Sequence, residues 1–369
     1  SIKKLLGFKD VKEIEFDNRN TLQLKGKDLA ALLVKGLFKD VNSYFNRPGF
    51  NADEYKRNGK FNPLRAAVAI PNNFTTSKIQ DMVDCIAKLN QFKEIRYVYE
   101  AEAVLFYYLS NYSRFNDGKA SSDSETILVF DMGGATINAT VVTANKILKN
   151  ERTKYEIDFL GKIGYGIGGD TIDYCIAQFI LSYADEFPQL KEVQDKKFEL
   201  ANLAFEIKKE IIANYYSDNP YLTYLITASK LEDFIKESLG VSIKIEEESE
   251  MYEYFFKDSG RCKLFEHPLF IDTIYNNVKD AVNEVTGLSG GARIDRIIFS
   301  GRSTSFPLVK ETVEKQLNAQ KENIKIIALE LEESKMAVAQ GACWYGVNNN
   351  SKTNAAFGFK KTQSADKSD

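Results

Sequence analysis

Residues 127 to 142 run Ile-Leu-Val-Phe-Asp-Met-Gly-Gly-Ala-Thr-Ile-Asn-Ala-Thr-Val-Val. The apolar run suits a buried strand, and Ile137, Ala139 and Val141 then recur at the period of two that marks a second strand. A connection this short must fall on Gly133 and Gly134. Lacking Cβ atoms, these two reach positive φ at low cost and let their N–H groups approach a bound anion. Asp131, at the end of the first strand, is placed to hold a metal ion or a water beside that anion. The competing reading is an ordinary hairpin whose glycines serve only the turn. This stretch alone does not choose between the two.

The surroundings of the hairpin alternate between strand and helix. Leu29, Leu32, Leu33, Leu37, Val41 and Tyr44 share one face of an amphipathic helix that Asp28 could cap. Ala66 to Ile70 reads as a strand, and Thr75, Thr76 or Ser77 offers the cap for a helix with Ile79, Met82, Val83, Ile86 and Leu89 inward. A strand from Ile95 to Tyr99 ends at Glu100, and Ala101 to Leu109 follows as a helix. Such alternation argues for layered α/β architecture. Residues 111 to 125 are polar and turn-rich, the best interior boundary between lobes.

Beyond the hairpin, Gly164, Gly166, Gly168 and Gly169 precede Asp170 and Thr171, which can cap a helix bearing Ile172, Ile176, Phe179 and Ile180 on one face. An anion could sit at that N-terminus. Residues 186 to 287 read as mostly helical, with an acidic, solvated stretch from Glu246 to Glu250. Asp295 to Phe299 is a strand that turns through Ser300 to Pro307 into a helix carrying Val309, Val313 and Leu317. In the small-residue helix from Ala337 to Tyr345, Gly341 permits close approach of a neighbour. The polar tail after Asn348 has a composition that favours disorder.

The chain has 369 residues, enough for a sizeable core and two lobes. Its 49 basic and 52 acidic residues, a formal charge of -3, argue against nucleic acid or an anionic membrane as partner. Cys85, Cys175, Cys262 and Cys343 are scattered without a CxxC pair, which indicates neither a zinc site nor a disulfide framework and fits a reducing cytoplasm. No run of 18 apolar residues and no signal-peptide pattern occurs, while an opening Ser1 suggests a processed or truncated product. His267, the single histidine, has no recognisable catalytic partner and reads as a surface or turn residue, and Trp344 as core.

Taken in order, these segments resemble the nucleotide-binding domain of the DnaK-type, 70 kDa heat-shock chaperones, a branch of the actin, hexokinase and heat-shock ATPase superfamily. Ala66-Ala-Val-Ala-Ile-Pro-Asn-Asn-Phe is similar to the strand and turn before the family's connecting helix, and Tyr97-Val-Tyr-Glu-Ala-Glu-Ala-Val to its Asn-Glu-Pro-Thr-Ala-Ala segment. Asp131-Met-Gly-Gly-Ala-Thr resembles the second phosphate motif, Asp-Leu-Gly-Gly-Gly-Thr, and Gly168-Gly-Asp-Thr-Ile-Asp the Gly-Gly-Glu-Asp-Phe-Asp element. Ser300-Gly-Arg-Ser-Thr-Ser-Phe-Pro is similar to the adenosine motif, Val-Gly-Gly-Ser-Thr-Arg-Ile-Pro, and Ala337-Val-Ala-Gln-Gly-Ala to the second connecting helix. Each motif is weak alone, but six in the family's order are specific.

The resemblance implies an α/β, actin-like ATPase (ribonuclease H-like) fold of two lobes with the first incomplete. Residues 1–118 would be the remainder of lobe I, 119–167 and 288–347 the core of lobe II, 168–287 its smaller, mostly helical subdomain, and 348–369 a polar tail. It implies ATP or ADP with magnesium as ligands. Asp131 would hold the magnesium or potassium shell, Glu100 would orient metal-bound water, and Thr136 with the Gly133 and Gly134 amides would meet the γ-phosphate. Gly168, Gly169 and Asp170 would border the nucleotide, Gly301 and Ser303 would flank the adenosine, and Glu206 and Lys209 would reach the ribose or adenine. Read from the residues alone, Glu206 and Lys209 are an exposed helix pair.

Departures accompany the matches. Asn138 stands where the family has an Asp two positions after its phosphate-loop Thr, which removes a carboxylate near the metal. Ala135 replaces the third loop glycine, Arg302 the second glycine of the adenosine motif, Ser305 its Arg, and Lys335 an Asp. Nothing before Leu22 matches the family's first phosphate motif and catalytic Lys. A fragment of a longer protein, or a divergent form completed by another chain, is therefore expected, and this polypeptide alone should bind ATP weakly or not at all. Three function classes follow: a chaperone ATPase domain acting on client polypeptides or with co-chaperones through parts absent here, a pseudo-ATPase scaffold, and another superfamily member such as a filament protein or sugar kinase.

Overall fold

The computed structural model describes residues 11–17, 20–49, 56–57, 60–61, 65–89, 92–116, 123–149, 152–216, 220–246, 249–255, 263–318 and 324–348. The expected polar tail, Cys262 and part of the acidic stretch (247–248) lie outside them, as does the side chain of Lys335. The chain divides into two units, one of Ser1–Ser124, Asn145–Asp158 and Met336–Asp369, the other of Glu125–Ala144 and Phe159–Lys335.

In the first unit, strands β1 (Val11–Asp17) and β2 (Asn20–Lys25) pair antiparallel and lead into helix α1 (Gly26–Asn46). The periodic apolar pattern of α1 holds, but its stripe is not a buried face: Leu32, Leu33 and Leu37 are 50%, 45% and 65% exposed. Asp28 does not cap this helix, whose N-cap is Lys25 without a side-chain bond; Asp28 instead pairs with Lys88 at 3.3 Å. Strands β3 (Arg65–Ile70) and β4 (Glu94–Tyr99) run parallel, joined through α2 (Thr76–Ala87). Thr75 caps α2, its Oγ1 accepting from Lys78 N at 3.4 Å, a bond that satisfies one of the orphan amides of a helix start.

Helix α3 (Glu100–Ser110) is buried from Glu100 to Leu109 except at Glu102. It meets the C-terminal helix, of which Gly341 is part: a Cβ there would lie 1.7 Å from Ala103 O, so only glycine fits the approach. Trp344 and Tyr345 stack on Phe106 at 5.8 and 5.3 Å.

The second unit is organised on a five-stranded sheet. With β5 (Ser124–Met132), β6 (Ile137–Lys149), β7 (Arg152–Tyr165), β8 (Arg296–Ser300) and β9 (Lys325–Ala328), the spatial order is β9-β8-β5-β6-β7, and β8 runs parallel to both β5 and β9. The hairpin β5–β6 expected from the sequence is present. Its residues alternate less than the pattern implied, because Asn138 and Thr140 are buried along with Ile137, Ala139 and Val141. All five β8 residues are buried, and the charge of Arg296 is met by Glu125 in a two-nitrogen ion pair, the arrangement that offsets the cost of burying a guanidinium. Residues 145–158, the far parts of β6 and β7, and the C-terminal helix from Met336 group with the first unit.

Helices α4 (Gly169–Ser182), α5 (Lys197–Asn214), α6 (Pro220–Leu239), α7 (Asn276–Leu288) and α8 (Pro307–Asn318) complete this unit before α9 (Leu331–Asn348) begins. Ile172, Ile176, Phe179 and Ile180 are fully buried in the same core as Phe130 and Phe299. Each such side chain contributes about 1.5–3 kcal/mol of transfer free energy. His267 caps the short turn Pro268–Phe270, its Nδ1 accepting from Leu269 N at 3.3 Å, and packs edge-on against Phe179 and Tyr254. Burial lowers its pKa.

Candidate functional site

Three turns of the second unit converge on one carbonyl. The turn 133–136 closes with Gly133 N donating to Thr136 O at 3.1 Å. The oxygen of Gly133 then accepts from Gly169 N at 2.9 Å, at the start of α4, and from Ser303 Oγ at 2.9 Å, in the loop between β8 and α8. Asp170 N donates to Gly134 O at 2.8 Å. Packing is as close as the hydrogen bonding: a Cβ on Gly168 would lie 2.6 Å from Ala135 N, and one on Gly169 2.4 Å from Ser303 Oγ.

The third turn is pinned by Gly301, whose φ of 80° is the left-handed value expected instead of Gly133 and Gly134, neither of which has positive φ. A Cβ at 301 would lie 2.3 Å from Met132 O. Thr304 fixes the loop, its N and Oγ1 both donating to Gly301 O at 3.0 and 2.7 Å. The glycine requirement thus sits where a loop crosses a strand, not in the hairpin turn itself.

Beneath the turn, Asp131 and Thr136 are buried and share one neighbour. Asn138 Nδ2 donates to Asp131 Oδ2 at 3.4 Å and to Thr136 Oγ1 at 3.2 Å. An Asp at 138 could not donate, and would set a second carboxylate beside Asp131.

Lys208, which the motif match passed over in favour of Lys209, is a cation bonded to this junction. Its side chain is 10% exposed, bonded to Asp173 at 2.7 Å and to Gly169 O at 3.2 Å, with Nζ 5.0 Å from the Phe205 ring centre. Burial pushes the Asp173 carboxyl pKa up; Lys208 opposes this and Asp170 adds to it. The signal was available in the period of α5: Ala204, Ile207 and Ile211 are its buried stripe, and 208 lies within it. Glu206 and Lys209 instead pair with each other on the outer face, Nζ to Oε2 at 2.9 Å.

The amides available to a ligand follow from this geometry. Those of Gly133, Gly169 and Asp170 are taken by protein carbonyls, so the start of α4 does not present them to an anion. The amides of Gly134 and Ala135 have no acceptor among the described residues. Glu100 is buried in the first turn of α3, in the other unit. Among the described residues no group of three or more His, Cys, Asp or Glu side chains forms a metal cage. Two unclaimed amides beside one buried carboxylate fit a phosphate group whose metal is held mainly by phosphate and water, with few protein ligands.

The chain is 23% identical over 273 residues to the chaperone protein DnaK of Guillardia theta, which covers 69% of this chain and 35% of that protein. It spans about a third of the length of that relative. No protein-family model matches. The mixed α/β architecture with its mixed sheet is compatible with an actin-like ATPase fold.

Proposed function

We propose that this chain is part of a DnaK-like ATPase domain of actin-like fold that binds ATP or ADP with magnesium. The observation that carries the reading is the junction at Gly133 O, where the phosphate-like turn, the Gly168-Gly169 turn and the adenosine-like turn are hydrogen-bonded together. The order of motifs along the chain and the distant similarity to DnaK support it. In this reading the Gly134 and Ala135 amides and the Thr136 hydroxyl receive the terminal phosphate, and Asp131 holds water around the metal. Magnesium, when bound, neutralises charge on the phosphates. Gly301 and Ser303 border the adenosine, and Glu206 and Lys209 turn from each other toward the ribose. Client polypeptides or co-chaperones are the partners that this reading expects.

Asn138 favours a second reading, a nucleotide-holding scaffold with slow turnover. Its amide bonds both Asp131 and Thr136, where an Asp would add a carboxylate for a metal.

Photolabelling tests the proposal even where affinity is low. With 8-azido-ATP and magnesium, labelled peptides are expected from 206–213 and 301–306, with the label competed by ATP. Label elsewhere, or label that ATP does not compete, overturns the assignment.

A further inference from the structure

A cavity of about 570 Å³ lies in the second unit, between the end of α5, the segment 263–275 and α8. That volume is typical of small-molecule pockets. Its floor is apolar and aromatic: Tyr215 and Phe265 are buried with rings 5.4 Å apart, beside Leu308. Its mouth is acidic, with Glu266, Glu311 and Glu314 against Lys315.

Two features distinguish this mouth from the rest of the surface of the unit. The carboxylate of Glu314 is partly withdrawn from water beside Glu311, and its cation, Lys310, stands 4.0 Å away. Burial and the neighbouring Glu311 raise the Glu314 pKa, while Lys310 offsets part of the rise. Burial, the charges of the same two glutamates and a hydrogen bond to Glu311 push the adjoining Tyr216 hydroxyl up to about 12. Like charges so placed disfavour one another, and an added cation relieves both.

The second feature is in the backbone. Residues Ile271–Tyr275 form a π-turn in which Asn276 N donates to Ile271 O. Such wide turns are uncommon and recur at functional sites. Here both end residues, Ile271 and Tyr275, line the cavity.

We propose that this cavity binds a small organic cation, an ammonium or guanidinium group on an apolar stem. The stem lies on Tyr215, Phe265 and Leu308, the positive group stands between Glu311 and Glu314, and the Tyr275 ring adds a cation–π face. Anions are repelled, and a neutral isostere keeps only the apolar contact. This site is independent of the nucleotide reading.

Nuclear magnetic resonance titration of the full chain with phenethylammonium chloride, without nucleotide, tests it. Saturable shifts confined to 215–216, 265–276 and 308–315, with a Kd on the order of 1 mM, are expected. The neutral 2-phenylethanol and the anionic phenylacetate should bind at least about tenfold more weakly, the scale of one lost ion pair near a partly buried site. Glu311→Gln with Glu314→Gln should abolish the preference for the cation, and Lys315→Glu should strengthen it. Both variants change residues at the open mouth, and circular dichroism checks that each stays folded. Equal binding of the three probes, shifts elsewhere, or an unchanged preference in both variants overturns the proposal.

Discussion

Replacing Gly301 by Ala puts two separate costs on the junction. The residue holds φ at 80°, a conformation that costs a side-chain-bearing residue about 1–3 kcal/mol. Its Cβ would also lie 2.3 Å from Met132 O and 2.5 Å from the Met132 carbonyl carbon, with Asp131 Oδ1 at 3.0 Å. The first two are backbone atoms of a strand whose residue 132 is fully buried, so they cannot rotate away, and relief by displacement adds about 1–3 kcal/mol. Together the substitution should cost about 2–6 kcal/mol, against a total stability of about 5–15 kcal/mol for a typical domain. Trp344, the single tryptophan, belongs to the first unit, so its fluorescence would follow the wrong part of the molecule. Urea unfolding read by far-ultraviolet circular dichroism, with hydrogen exchange of the β5 amides, reports on the right one. Gly287→Ala is the control: nothing lies within 4 Å of its Cβ in helix α7, and it should gain about 0.5–1 kcal/mol. If Gly301→Ala loses less than about 1 kcal/mol, below the lower end of either cost, the close approach of loop and strand is not what the geometry says. Where the variant stays folded, the displaced loop should also lower 8-azido-ATP labelling of 301–306.

Lys208→Met leaves the Asp173 carboxylate buried without its cation, which should cost about 3–5 kcal/mol at pH 7 in thermal or urea unfolding. The folded-state pKa of Asp173 is already raised above the usual value, and losing Lys208 raises it further. An acid whose folded pKa is raised lowers stability as pH climbs through that window, so the deficit of the variant should shrink as pH is lowered toward the ordinary carboxylate range. A deficit that stays constant across pH would show that Asp173 is not the group responsible. Asn138→Asp sets two carboxylates at the foot of the turn; the variant should melt below the parent in chelator and recover with magnesium, while the parent responds less. In the ATPase reading the same change raises turnover, and a variant indifferent to magnesium counts against a metal beside Asp131.

What could be read from the sequence, and what could not, divides by the range of the interaction that decides each feature. The hairpin of β5 and β6 follows from a period of two and a glycine turn within sixteen adjacent residues, so local pattern suffices. Gly341 was legible for a similar reason, since a glycine among small residues in a helix anticipates a close neighbour, and Ala103 O is that neighbour. The positive φ assigned to Gly133 and Gly134 belongs instead to Gly301, because the demand is created by Met132 O, distant in sequence and adjacent only once β8 pairs beside β5. At the start of α4 the same logic applies: the amides of Gly169 and Asp170 have carbonyl acceptors in the turn 133–136, which no reading of 168–173 alone could supply. On helix α5 two readings select neighbouring residues, since the periodicity that buries Ile207 and Ile211 also buries Lys208, while the motif match selects Lys209. Resemblance selects residues by letter, whereas burial selects them by phase. Where the two disagree, as at 208 and 209, the buried charge is the one whose removal the fold should register, and the exposed pair Glu206–Lys209, worth about 0.2–1 kcal/mol in water, is free to exchange its internal bond for one to a ligand.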